Sequence, residues 1–135
     1  MMLTNPLKNT KERDVNGKAD RVPEDKLSLY KQLIDSHPEI ELKGGLKLPY
    51  TSHQGHMFSQ LTKAGTVGLR MGKAEREAFI AEYDSALLVT YGTVMKEYVA
   101  VPDHLLRDTA QLLPYLEQSY AYAKTLKPKP GKRNS

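Results

Sequence analysis

Residues 46–71 read LKLPYTSHQGHMFSQLTKAGTVGLRM, and the fold class turns on whether this stretch is helical or extended. From Thr66 to Met71 the apolar Val67, Leu69 and Met71 share one parity, while Thr66 and Arg70 take the other. That period of two belongs to a strand with one buried face. In the middle of the stretch Met57, Ser59 and Leu61 fall on a common face by the same alternation. Gly44-Gly45, Gln54-Gly55 and Ala64-Gly65 punctuate it, so extended segments are predicted at Leu46–Ser52, His56–Leu61 and Thr66–Met71. Together they read as a three-stranded antiparallel meander.

Moving outward, the period changes. Pro23 followed by Glu24 and Asp25 makes a good helix start, because proline loses nothing in the first turn and acids suit the positive end of the helix dipole. Leu27, Tyr30, Leu33 and Ile34 then form one apolar stripe, and the helix should stop before His37-Pro38. On the other side, Lys73 to Tyr83 carries Ala74, Ala78, Phe79 and Ala81 among Glu75, Arg76, Glu77 and Glu82, an amphipathic helix. Two further strands are predicted at Ala86–Thr90 and Val94–Val101, turning at Tyr91-Gly92-Thr93. Both parities of the last strand are apolar, which predicts burial on both faces. Pro102-Asp103 opens a short helical turn, and Leu112–Leu126 is the closing helix, where Pro114 is tolerable only in the first turn. The order α-β-β-β-α-β-β-α predicts an α+β fold of two layers, a five-stranded antiparallel sheet with helices on one face.

The chain has 135 residues, 39% apolar and 27% charged, enough for one globular core. It has no cysteine. A disulfide framework, a thiol nucleophile and every cysteine-ligated metal site are therefore excluded, and a reducing cytoplasm is the expected location. No window approaches the roughly 18 apolar residues of a membrane span, and no apolar signal-peptide stretch opens the chain, so no membrane association is expected. Residues 1–22 are expected to be a disordered arm, 23–126 the folded body and 127–135 a disordered basic tail.

The net charge of +4 is unevenly placed. Residues 1–22 hold five bases against three acids, and residues 127–135 hold Lys127, Lys129, Lys132 and Arg133 with no acid. The body between them has 11 bases and 13 acids, a net of −2. Any phosphate contacts are thus expected from the four tail cations, and nucleic-acid binding through them should be weak and independent of sequence.

The run His56-Met57-Phe58, the glycine turn at Gly65, the strand end Leu69-Arg70, Phe79, Gly92, and Tyr98 ahead of Val101-Pro102 resemble, in order and spacing, the N-terminal domain of the TfoX/Sxy family of competence regulators. The resemblance spans about Leu29 to Lys124. It implies a two-layer α+β domain, here as a stand-alone version of the family's first domain, with a regulatory role. It brings no catalytic residues and no cofactor.

Three constellations remain to be weighed. His53 and His56 flank a turn, with His37 and His104 elsewhere. Two neighbouring imidazoles fall short of the three or four ligands of a zinc site, so no metal is expected. Tyr50, Thr51, Ser52, His53 and His56 put hydroxyls and imidazoles near one hairpin, a candidate small-ligand or enzymatic pocket, although no nucleophile elbow, zincin motif or phosphate-binding loop accompanies them. Lys96 and Glu97 interrupt an apolar strand, and Arg70 with Lys96 could line a polar pocket; the alternative is a cross-strand charge pair or a place near a strand end. The candidate pocket residues are accordingly Tyr50, His53, His56, Arg70 and Lys96. The expected function is a non-enzymatic interaction or regulatory domain, with a protein partner or a second copy on the sheet face that the helices leave open. Nucleic-acid binding by the tails and the hairpin pocket stand as alternatives.

Overall fold

A computed structural model describes residues 21–128. The chain runs α1 (Glu24–Asp35), β1 (Tyr50–His53), β2 (His56–Leu61), β3 (Val67–Arg70), α2 (Lys73–Tyr83), β4 (Leu87–Thr90), β5 (Thr93–Ala100), α3 (Asp103–Leu106) and α4 (Thr109–Thr125). All strands pair antiparallel in one sheet, ordered β1-β2-β3-β5-β4. The predicted α+β class and element order hold, the helices packing on the sheet. The core lies between layers: Tyr30, Leu33 and Ile34 of α1, Phe79 of α2, and Leu112, Leu116 and Ala123 of α4 bury against Phe58, Leu61, Val67, Leu69 and Val99. Leu105 and Leu106 of α3 close one end.

Helix α1 ends where its sequence requires, with Ser36 capping ahead of His37-Pro38. Upstream of it Val22 is only 3% exposed and its amide donates to the Leu46 carbonyl at 3.0 Å. The body therefore begins one residue before the expected boundary. The remainder of the expected arm, residues 1–20, and residues 129–135 of the expected tail lie outside the described residues.

Four local expectations are corrected. The first strand is short: Leu46 and Leu48 are 42% and 43% exposed, and pairing starts only at Tyr50, because Pro49 offers no amide to a ladder. The second strand carries a bulge. Thr51 pairs with Ser59 but Ser52 pairs with Met57, so Phe58 is the extra residue. The bulge turns Phe58 into the core beside Ser59 and leaves Met57 half-buried, off the face that strict alternation assigns it. Third, Pro114 is the sixth residue of a helix that starts earlier than expected, after an Asp108 side chain that accepts from the Gln111 amide at 3.2 Å. It therefore lies beyond the first turn, where Ala110 loses the amide that would meet its carbonyl. Last, β5 is buried on both faces only at Tyr98 and Val99, while Thr93, Val94 and Lys96 are exposed. Strand β3 reaches only Tyr98, Val99 and Ala100, so the outer part of the β4–β5 hairpin projects beyond its sheet neighbour.

Three buried hydroxyls of the helix-facing layer satisfy one another, while Ser119 Oγ of α4 is buried without a partner. Ser59 Oγ lies 2.6 Å from both Tyr30 Oη and Thr51 Oγ1, and all three residues are fully buried. Burial pushes the Tyr30 phenol well above its ordinary range, outweighing these hydrogen bonds.

Candidate functional site

The five candidate pocket residues are not brought together. Tyr50 opens β1 and pairs with Lys43 and Gln60, whereas His53, three residues on, points to the opposite face. His53 and His56 are register partners across the Gln54-Gly55 turn, both of whose residues have positive φ. His53 packs edge-on to Tyr120 at 5.6 Å between ring centroids. His56 Nε2 lies 2.6 Å from the Lys127 carbonyl, which can only accept, so Nε2 donates. Its Nδ1 is buried without a hydrogen-bond partner. The two imidazoles thus seat the end of α4 on the sheet.

Arg70 sits on another part of the sheet. Its Nε donates to Glu97 Oε1 at 2.7 Å, its Nη1 reaches the Met57 carbonyl at 3.4 Å, and its guanidinium lies 5.7 Å from the centroid of the Tyr122 ring. The Tyr98 hydroxyl donates to the same Met57 carbonyl at 2.8 Å, and burial pushes its pKa up to about 12. Lys96 is exposed in the irregular part of β5, where pairing jumps from Leu87–Val99 to Leu88–Met95. The cross-strand charge pair is the arrangement found at Arg70, whose partner is Glu97 and not Lys96. Of the tail cations only Lys127 falls among the described residues; Lys129, Lys132 and Arg133 lie outside them.

Two clusters escaped the sequence reading. In the first, His37 accepts the Glu39 amide on Nδ1 at 3.1 Å and meets Glu117 Oε2 with Nε2 at 3.1 Å. Tyr120 stands edge-on to His37, and Lys124 Nζ lies 4.4 Å above the Tyr120 ring. These groups line an open cleft of about 300 Å³. The spacing Glu117, Tyr120, Lys124 on one helix face was the available signal, but the sequence does not show that His37 faces it. In the second, Tyr83 donates to Tyr115 at 3.0 Å and receives from Gln111 Nε2 at 3.2 Å. Neither cluster forms a metal centre: among the described residues no three His, Asp or Glu are placed to hold an ion.

The open sheet face is not the exposed apolar surface. Tyr98 and Leu88 are buried there, and a Cβ on Gly68 would stand 2.4 Å from Leu88 Cδ2, so the Leu88 side chain packs directly on the Gly68 backbone. Apart from Leu46 and Leu48, the exposed large apolar residues of the described chain gather at the hairpin's outer end: Val89 is 56% exposed, Val94 is 50% and Tyr91 is 75%. Tyr91 also has φ 53° and Gly92 φ 72°, the pair of left-handed residues of a type I′ turn. Glycine takes this conformation freely, whereas tyrosine is strained in it.

Comparison with known proteins returns no match, whether to a family model, a curated protein or a solved structure. Among the described residues no helix is long and apolar enough to cross a membrane.

Proposed function

We propose that the chain is a non-enzymatic interaction domain with a regulatory role in the cytoplasm, of the kind its resemblance to TfoX/Sxy N-terminal domains implies, and that it acts through protein contact at the β4–β5 hairpin. The observation that supports this reading most is Tyr91. A large aromatic residue occupies a turn position that favours Asn or Gly, and it does so three-quarters exposed, flanked by exposed Val89 and Val94. Such a side chain adds nothing to the core, and a contact made outside the domain accounts for it. The candidate imidazoles also have structural employment, His53 on Tyr120 and His56 on the Lys127 carbonyl.

A photo-crosslinking amino acid placed at Tyr91 in the full chain, expressed in its own cells, tests the reading. Covalent protein adducts are expected from position 91 and not from exposed Glu77 on α2. Equal labelling at both positions, or none at 91, refutes it. Nucleic-acid binding is a second reading, favoured by the segregation of four cations into residues 127–135 beside a body of net charge −2.

A further inference from the structure

We infer that the outer edge of β4 pairs with the same edge of a second copy, joining two sheets antiparallel about a twofold axis at Val89. The inference rests on the hairpin being a contact surface and names its occupant. Strand β4 is a sheet edge, and among the described residues no strand pairs with its outer side. The two-residue turn makes Thr90 and Thr93 the first pair of the hairpin ladder. Alternation then turns the peptide groups of Leu88 and Thr90 towards β5 and those of Leu87 and Val89 outward.

Sheet edges are blunted by lysine, proline or an inward charge, by a bulge, or by being very short. Residues 87–90, Leu-Leu-Val-Thr, carry no charge and no proline; the strand is only four residues long and its pairing with β5 is irregular at Leu87–Leu88, so the edge open to a partner is the regular stretch Leu88–Thr90. An antiparallel pair of identical strands keeps both sheets facing the same way only if residues of like parity meet, and Val89 opposite Val89 satisfies this with an outward-facing peptide. Val94 is the register partner of Val89. The register therefore lines up Val94, Val89, Val89 and Val94 as a four-valine ladder on one face, covering the two most exposed valines of the domain with their own counterparts. Leu88 then meets Thr90, and Leu87 meets Tyr91.

The charges agree with a second copy as the occupant. No charge lies on β4 itself, so none is repeated across the axis. Asp84, exposed just ahead of the strand, is carried towards the turn end of the other copy, where Lys63 lies 6.0 Å from the Tyr91 ring centroid. One short strand and a valine ladder form a small interface, so dissociation is expected on the order of micromolar concentrations.

The test uses the full chain. Sedimentation across about 1 to 200 μM, the range around that expected constant, should show mass rising towards twice the 15.2 kDa of one chain. Val89→Lys, at an exposed position that folding tolerates, should keep the circular dichroism and return the chain to a monomer. Because the chain has no cysteine, Val89→Cys should oxidise to a covalent dimer, since a hydrogen-bonded antiparallel pair sets Cα atoms about 5.5 Å apart, within disulfide reach. Val94→Cys, equally exposed but about 15 Å from its counterpart by strand spacing, should not. A monomer at every concentration overturns the inference, as does a dimer unaffected by Val89→Lys or equal crosslinking at positions 89 and 94. A monomer would still leave Tyr91 adducts to a different protein, so failure here is distinguishable from failure of the interaction reading.

Discussion

Ser59 joins two hydroxyls that have no water to turn to, and the three-residue chain Tyr30, Ser59, Thr51 ties α1 to β1 through β2. Removing the middle hydroxyl strands both ends, whereas removing the Tyr30 hydroxyl leaves Ser59 and Thr51 still paired. Ser59→Ala should therefore cost about 2 to 4 kcal/mol and Tyr30→Phe about 1 kcal/mol, read from urea midpoints with unchanged slopes. The reverse ranking would show that the hydroxyls do not act as a chain. Tyr98 makes a pH prediction. Its folded pKa, about 12, lies above the ordinary value of 10.0. Between those values the unfolded chain loses the proton and the folded one keeps it, so stability is full below pH 10 and falls as pH rises towards 12. Tyr30 is shifted in the same direction and adds to the fall. Each group contributes up to about 1.4 kcal/mol per pH unit in that window. Tyr98→Phe should lower stability at pH 7 by about 1 kcal/mol through the lost Met57 bond, yet flatten the alkaline decline. An unchanged slope between pH 10 and 11.5 contradicts this.

The strands and helices were legible where a single period governed a segment: α1, β3 and α2 appear within a residue or two of their expected ends. Illegible were the features that depend on a neighbour's backbone. Nothing in His56-Met57-Phe58-Ser59 says that Phe58 is skipped by the ladder, since the bulge is a property of the β1–β2 pair. The same holds for β5, whose apolar parities promised burial along its whole length, while the reach of β3 limits burial to the inner half. The candidate site is the least legible, because closeness in sequence does not bring side chains together where strand parity separates Tyr50 from His53. Two substitutions test the elements. Pro114 is exposed, so Pro114→Ala restores an amide to the Ala110 carbonyl without opening a cavity and should stabilise the chain by about 1 to 3 kcal/mol. Tyr91→Asn supplies a residue suited to positive φ and should stabilise the hairpin by about 0.5 kcal/mol while weakening contacts made through the ring. A destabilised Tyr91→Asn chain would mean that the ring packs on its own domain.

At the scale of the whole molecule, charge and fold are kept apart: the body is slightly acidic, and the strongest run of cations follows α4. The start of that run is fixed, because His56 holds the Lys127 carbonyl at 2.6 Å and so seats the chain's exit at the β1–β2 end of the sheet. If the run contacts nucleic acid, Lys127, Lys129, Lys132 and Arg133 supply four phosphate contacts, and log affinity should fall with log salt at a slope of about −3.6 on duplex DNA. Fluorescence anisotropy on two unrelated duplexes should give equal, weak affinities, since phosphate contacts carry no sequence information. A chain ending at Leu126 should lose nearly all binding, because its remaining 16 bases are matched by 16 acids and leave no surplus of cations to take over. His56→Ala provides the internal control. It releases the anchor without changing the charge count, so the salt slope should stay near −3.6 even if affinity shifts. Sequence-selective binding that survives truncation at Leu126 would instead make the folded body a DNA reader, and the exposed hairpin residues Val89, Tyr91 and Val94 would then need to be tested as its contact surface.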